Sequence, residues 1–80
     1  MSDFSHLIRT INAMPAYIRE ALEARGLLDA YHARPAYQQN DYLGWIERAR
    51  RPETKEKRLN QMLNELEKGG VYMRMKWQPK

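Results

Sequence analysis

Between Tyr42 and Leu66 one apolar spacing occurs twice. Tyr42, Trp45, Ile46 and Ala49 fall at i, i+3, i+4 and i+7, and Leu59, Met62, Leu63 and Leu66 repeat the pattern. Each set occupies one face of a 3.6-residue helix, a spacing that no strand can use. Arg50-Arg51-Pro52 lies between them, and Pro52 suits the first turn of a helix, where its missing N–H costs nothing. The stretch reads as an antiparallel helical hairpin with these two stripes as its structural core. Trp45 is expected to meet Leu59, and Tyr42 to meet Met62 or Leu63. Ala49 is small enough to let the helices approach near the turn. Arg58 can lay its stem over Trp45 and pair with Glu47 or Asp41. Trp45 is central in this reading, so its loss should cost about 3–5 kcal/mol.

The remaining elements are punctuated by Pro and Gly. Phe4, Leu7, Ile8 and Ile11 show the same helical spacing, with Ser2 or Asp3 as cap. Pro15 fits the start of a second helix with Met14, Ile18, Ala21 and Leu22 inward. Gly26 should end it in the left-handed conformation, bringing Leu27 onto Leu22 in a Schellman motif. Leu28 and Tyr31 suggest a short segment closed at Arg34-Pro35. The helix carrying Tyr42 begins between Ala36 and Asp41, either capped by Asn40 or starting near Pro35, and runs to about Arg50. Gly69-Gly70 stops the final helix, with Glu53 and Lys68 placed to suit its dipole.

The fold class is therefore all-α, a small bundle of four to five helices spanning residues 1–70. In the last ten residues Val71, Met73, Met75 and Trp77 alternate at period 2. No second strand is evident to pair with them, so 71–80 is expected to be an extended tail. It either lays Met and Trp side chains across the bundle or acts as an arm toward a second copy or another protein. A missing neighbouring domain is the third reading.

Charge is concentrated at one place. The net charge is +4, and the window from Arg48 to Arg58 alone carries six basic residues (Arg48, Arg50, Arg51, Lys55, Lys57, Arg58) against Glu53 and Glu56. A helix-turn-helix reading invites itself, but the phase of the charges opposes it. Lys57 points nearly opposite the apolar stripe, Arg58 to one side and Lys55 close to it, so the cations wrap the junction instead of lining one reading face. These six residues are candidate contacts for a partner or an anion.

Catalytic and cofactor chemistry finds little to work with. The chain has no cysteine, and His6 and His32 are its only imidazoles. Neither has a second ligand at metal spacing. Asp29 and His32, Glu20 and Glu23, and Glu53 and Glu56 stand at i, i+3, where solvated ion-pair faces account for them. No P-loop, HExxH motif or nucleophile elbow occurs. The expectation is a non-enzymatic chain without cofactor or metal. No apolar run reaches the roughly 20 residues needed to span a bilayer, and the N-terminus lacks a secretory h-region. A cytoplasmic location is expected.

Tyr42-x2-Trp45-Ile46-x2-Ala49-Arg50, followed by Pro52-Glu53-Thr54-Lys55-x-Lys57-Arg58-Leu59, resembles the core pattern of the YdeI/OmdA-like family, the bacteriocin-protection, YdeI or OmpD-associated group. The resemblance covers residues 42–66, with weaker similarity through Pro15 and Ala21-Leu22. Family positions carry Lys at 50 and Arg at 55 and 57, so this chain exchanges one base for another. The resemblance implies a small bacterial helical module linked to tolerance of cationic antimicrobial peptides or bacteriocins, with no catalytic or cofactor residues. The expected function is an interaction module with a protein partner. The alternative is a nucleic-acid-associated basic module.

Overall fold

The computed structural model of the protein describes residues 13–76. The helix expected near Phe4–Ile11, His6 and Trp77 lie outside the described residues. Four helices follow one another, α1 (Ala16–Ala24), α2 (Leu28–Ala33), α3 (Ala36–Glu47) and α4 (Pro52–Lys68). Two short strands, β1 (Val71–Tyr72) and β2 (Met75–Lys76), complete the described residues. The fold is mostly helical, with one small sheet.

Local stereochemistry explains most of the boundaries. The Pro15 carbonyl accepts from Ile18 and Arg19 N–H at 3.2 and 3.1 Å to start α1. At its end Gly26 takes φ +68°, Leu27 N–H donates to the Leu22 carbonyl at 2.8 Å and Gly26 N–H to that of Glu23 at 3.1 Å. Those two bonds define a Schellman motif, and both leucines are buried. Arg34 is extended, at φ −72° and ψ 151°, as a residue preceding proline prefers. Pro35 then begins α3 by accepting from Gln38 and Gln39 N–H at 2.9 and 3.1 Å, so Asn40 lies inside the helix and does not cap it.

α3 ends at Glu47, one turn short of the expected Arg50. The cause lies downstream: Arg51 must be extended before Pro52, and takes φ −102° and ψ 144°. α4 carries Pro at its start, Glu53 in the first turn and Lys68 in the last, and stops at Gly69 with φ +82°. Its pairing with α3 runs antiparallel, because Lys55 meets Glu47, Arg58 meets Trp45 and Tyr42 meets Glu65.

One cluster forms the core. Ile18 and Leu22 come from α1, Tyr31 from α2, Tyr42, Leu43 and Ile46 from α3, and Met62, Leu63 and Leu66 from α4. Ala49 is also buried, whereas Trp45 and Leu59 are only partly so and pack at the cluster's edge. Trp45 is therefore a rim residue, and the fully buried aromatic of α3 is Tyr42. Leu43 and Gly44 are buried as well. α3 packs against both α2 and α4, so a single stripe does not describe what it buries.

The C-terminal segment departs from an extended tail. β1 and β2 pair antiparallel, with Val71 opposite Lys76 and Tyr72 opposite Met75. The strand's partner is thus the chain itself, four residues later. Met73 and Arg74 link them with φ +49° and +67°, the two left-handed residues of a type I′ hairpin turn. Such turns favour Asn-Gly, and neither residue is present here.

The position of Trp45 leads to a stability prediction. Ile46→Ala should destabilise by about 2–5 kcal/mol, and Trp45→Ala by less than Ile46→Ala. Urea melts of both variants measure the order, and a larger loss for Trp45→Ala would contradict its rim position.

Candidate functional site

Two charged residues that pattern reading would leave in water are buried. Arg34 and Glu65 are 5% and 4% exposed, and Gln38 beside them is fully buried. Arg34 donates through Nη2 to the carbonyls of Glu65 and Val71, at 3.0 and 2.8 Å, and through Nη1 to Gln38 Oε1 at 3.0 Å. The Glu65 carboxylate accepts from the Tyr42 hydroxyl at 2.5 Å, from Met73 and Arg74 N–H at 2.9 Å each, and from Gln61 Nε2 at 3.0 Å. Its oxygens are committed to four donors, so this carboxylate holds the hairpin turn in place. Tyr72 adds an edge-on ring contact with Tyr42 at 5.3 Å and donates to Asp41 at 3.0 Å.

This environment raises the phenols. Burial first, and then the hydrogen bond to Glu65, pushes Tyr42 well above the usual tyrosine value. Burial alone moves Tyr31 up to about 12. Tyr17 also rises to about 12, through burial and then its hydrogen bond to Glu47, the contact that ties α1 to α3.

The basic junction is only partly a surface. The Lys55 ammonium lies 3.8 Å from Glu47 Oε2 and 5.6 Å from the Tyr17 ring centroid. Arg58 donates through Nη1 to the Trp45 carbonyl at 2.6 Å and places its guanidinium 5.3 Å from the indole. Contact with Trp45 was expected of Arg58, but the acids near it are otherwise engaged: Glu47 with Lys55, Asp41 with Tyr72. Arg48, Arg50, Arg51 and Lys57 are exposed. Of the six candidate cations, two therefore join helices and four face solvent.

A groove of about 790 Å³ begins at this junction. It runs along one face of α4 from Thr54, Lys57 and Arg58 past Gln61 to Lys68, and Trp45 of α3 and Val71 and Arg74 of the hairpin also line it. Asn60 and Asn64 supply carboxamides to its wall. Arg74 Nε donates to Gln61 Oε1 at 3.1 Å, fixing the guanidinium at mid-groove. Lys68 and Arg74 were not among the expected contacts. The signal for the first lay in the polar stripe Thr54, Lys57, Gln61, Asn64, Lys68 at helical spacing. Among the described residues, no group of three His, Cys, Asp or Glu could hold a metal ion, and no helix is long and apolar enough to cross a membrane.

A family model described as bacteriocin-protection, YdeI or OmpD-associated matches residues 13–69. No curated protein and no solved structure gives a significant match.

The buried network generates two predictions. Glu65→Ala keeps the backbone carbonyl that Arg34 grips but leaves the Tyr42 hydroxyl and the Met73 and Arg74 amides without their acceptor. It should cost about 1–3 kcal/mol for each buried donor left unanswered, with amide exchange at Met73 and Arg74 rising first. Slow exchange retained at both amides would refute the clasp. Above pH 10 the unfolded chain ionises its tyrosines while the folded chain keeps Tyr17 and Tyr31 neutral up to about 12. The unfolded state then binds fewer protons, so stability falls with rising pH. Urea melts should show this loss between about pH 10 and 12, and tyrosinate absorbance should lag in the folded protein.

Proposed function

From the premise that the chain belongs to the bacteriocin-protection, YdeI or OmpD-associated family, we propose that it is a non-enzymatic interaction module that engages an anionic protein partner in the cytoplasm. The carrying observation is the junction of α3 and α4. Lys55 and Arg58 are engaged within the helix pair, while Arg48, Arg50, Arg51 and Lys57 stand exposed around it. Clustered cations raise the local concentration of an anionic partner and accelerate its encounter.

The sign of this surface bears on the role that the family's description suggests. A cationic antimicrobial peptide or bacteriocin is repelled by a cationic corner. Tolerance exerted through this corner therefore works by engaging an acidic cellular partner, and sequestration of the peptide is disfavoured. Glu53 and Glu56 also lie beside the corner, where they oppose a regular row of phosphates. That favours a protein over a nucleic acid.

The test is capture from the native host's lysate after nuclease treatment, using the wild type and the triple reversal Arg50→Glu, Arg51→Glu, Lys57→Glu. A partner retained by the wild type and lost by the reversal supports the reading. If capture disappears with nuclease, and log affinity for nucleic acid falls with log salt at about −0.9 per neutralised phosphate, the nucleic-acid alternative takes its place.

A further inference from the structure

We propose that the groove along α4 binds an extended acidic segment of a protein partner, with carboxylates at alternate residues. This rests on the interaction-module reading above and names the form of the partner. Helix geometry sets the dimensions. At 1.5 Å per residue, Arg58 and Lys68 stand about 15 Å apart along the α4 axis, and Gln61 about 5 Å from Arg58. Arg74, bonded to Gln61, occupies that middle level. Cations therefore occur at three levels of one groove: Lys57 with Arg58, then Arg74, then Lys68.

An extended peptide places alternate side chains on one side about 6.6 Å apart. Acidic residues at i, i+2 and i+4 span about 13 Å, within reach of all three levels given the length of arginine and lysine side chains. Arg58 and Arg74 are each oriented by a hydrogen bond, to the Trp45 carbonyl and to Gln61. A guanidinium has five N–H donors, so each has donors beyond that bond for a carboxylate. Asn60 offers an amide donor and acceptor, and Asn64, whose Oδ1 accepts from Arg25 Nη2 at 3.5 Å, offers an amide donor, the groups that an extended backbone requires.

The same wall disfavours a nucleic acid. Single strands bind on successive exposed aromatic rings. Among the described residues the groove has one ring, that of Trp45, with the Arg58 guanidinium already against it. Glu65 also lines the groove, but it is buried and its carboxylate oxygens are held by four donors.

The experiment uses the full chain carrying Trp77→Phe, so that Trp45 is the only tryptophan, and follows its fluorescence. The probes are acetyl-Ser-Asp-Ser-Asp-Ser-Asp-Ser-amide, a second peptide of the same composition with the three aspartates adjacent, and a short oligothymidylate. The alternating peptide should bind about tenfold more tightly than the other two, and Lys68→Gln or Arg74→Gln should weaken it about tenfold. Circular dichroism checks that both variants keep their helices, and Asn60→Ala gives a third groove variant that leaves the charge unchanged. Equal affinity for the two peptides, tighter binding of the oligothymidylate or an unchanged Trp45 signal would overturn the proposal. If the corner reversal abolishes partner capture while the Lys68 and Arg74 variants do not affect it, the groove assignment fails and the interaction-module reading stands. If partner capture survives the corner reversal, that reading fails, and the alternating peptide alone decides whether the groove binds acidic chains.

Discussion

The hairpin at the end of the chain is held by two buried charges that grip backbone. Taking a guanidinium and a carboxylate out of water costs several kcal/mol for each ion, which a thin core can bear only when every donor and acceptor is answered. Arg34 answers the carbonyls of Glu65 and Val71, and Glu65 answers the amides of Met73 and Arg74. The two residues therefore act on neighbouring peptide units of the hairpin, Arg34 on the Val71 carbonyl and Glu65 on the Met73 and Arg74 amides. The left-handed conformation of Met73 and Arg74 costs roughly 1–2 kcal/mol per residue. It persists because both N–H groups then point at one carboxylate. The matched family region ends at residue 69, yet Arg34 and Glu65 inside it hold 71–74 outside it. The packed unit is longer than the matched one.

Sequence was most legible where stereochemistry acts locally. Gly26 and Gly69 end helices because a left-handed residue is needed there, and Pro52 starts one because its ring forbids the alternatives. Tyr42, Ile46, Met62, Leu63 and Leu66 are buried on the faces that their spacing defines. Reading faltered where an element packs on more than one side. α3 buries Leu43 and Gly44 as well as its stripe, and that wider arc moves Trp45 to the rim. The hairpin has no signal of its own in the sequence, because its turn lacks the Asn-Gly that announces one. Its determinant, Glu65, comes from the preceding helix. One clue was present: Glu65 follows Met62 by three residues and precedes Leu66 by one, which puts it beside the inner stripe. Among Lys, Gln and Asn such a glutamate reads as a solvated face.

The candidate site was legible in charge and not in geometry. The cluster from Arg48 to Arg58 is plain in the sequence, but spacing along one helix cannot say that Lys55 will turn to Glu47 or that Arg58 will settle on Trp45. Nor can it say that Arg74, beyond the end of α4, folds back to Gln61. That return is a tertiary event, set by the buried clasp.

The clasp thereby connects stability to the surface. Its Glu65 carboxylate fixes the backbone of Arg74, Gln61 fixes the side chain, and Gln61 is itself bonded to Glu65. A surface arginine ordinarily gives up rotamer freedom when it meets a ligand, at roughly 0.5–1.5 kcal/mol per side chain. Here much of that ordering occurs when the chain folds, because the network that satisfies a buried carboxylate also aims the guanidinium. Arg58 is held in the same manner at the other end of the groove, by the last turn of α3. Two of the groove's cations are thus held by hydrogen bonds within the fold. Lys57 and the exposed arginines of the corner lie outside that core network.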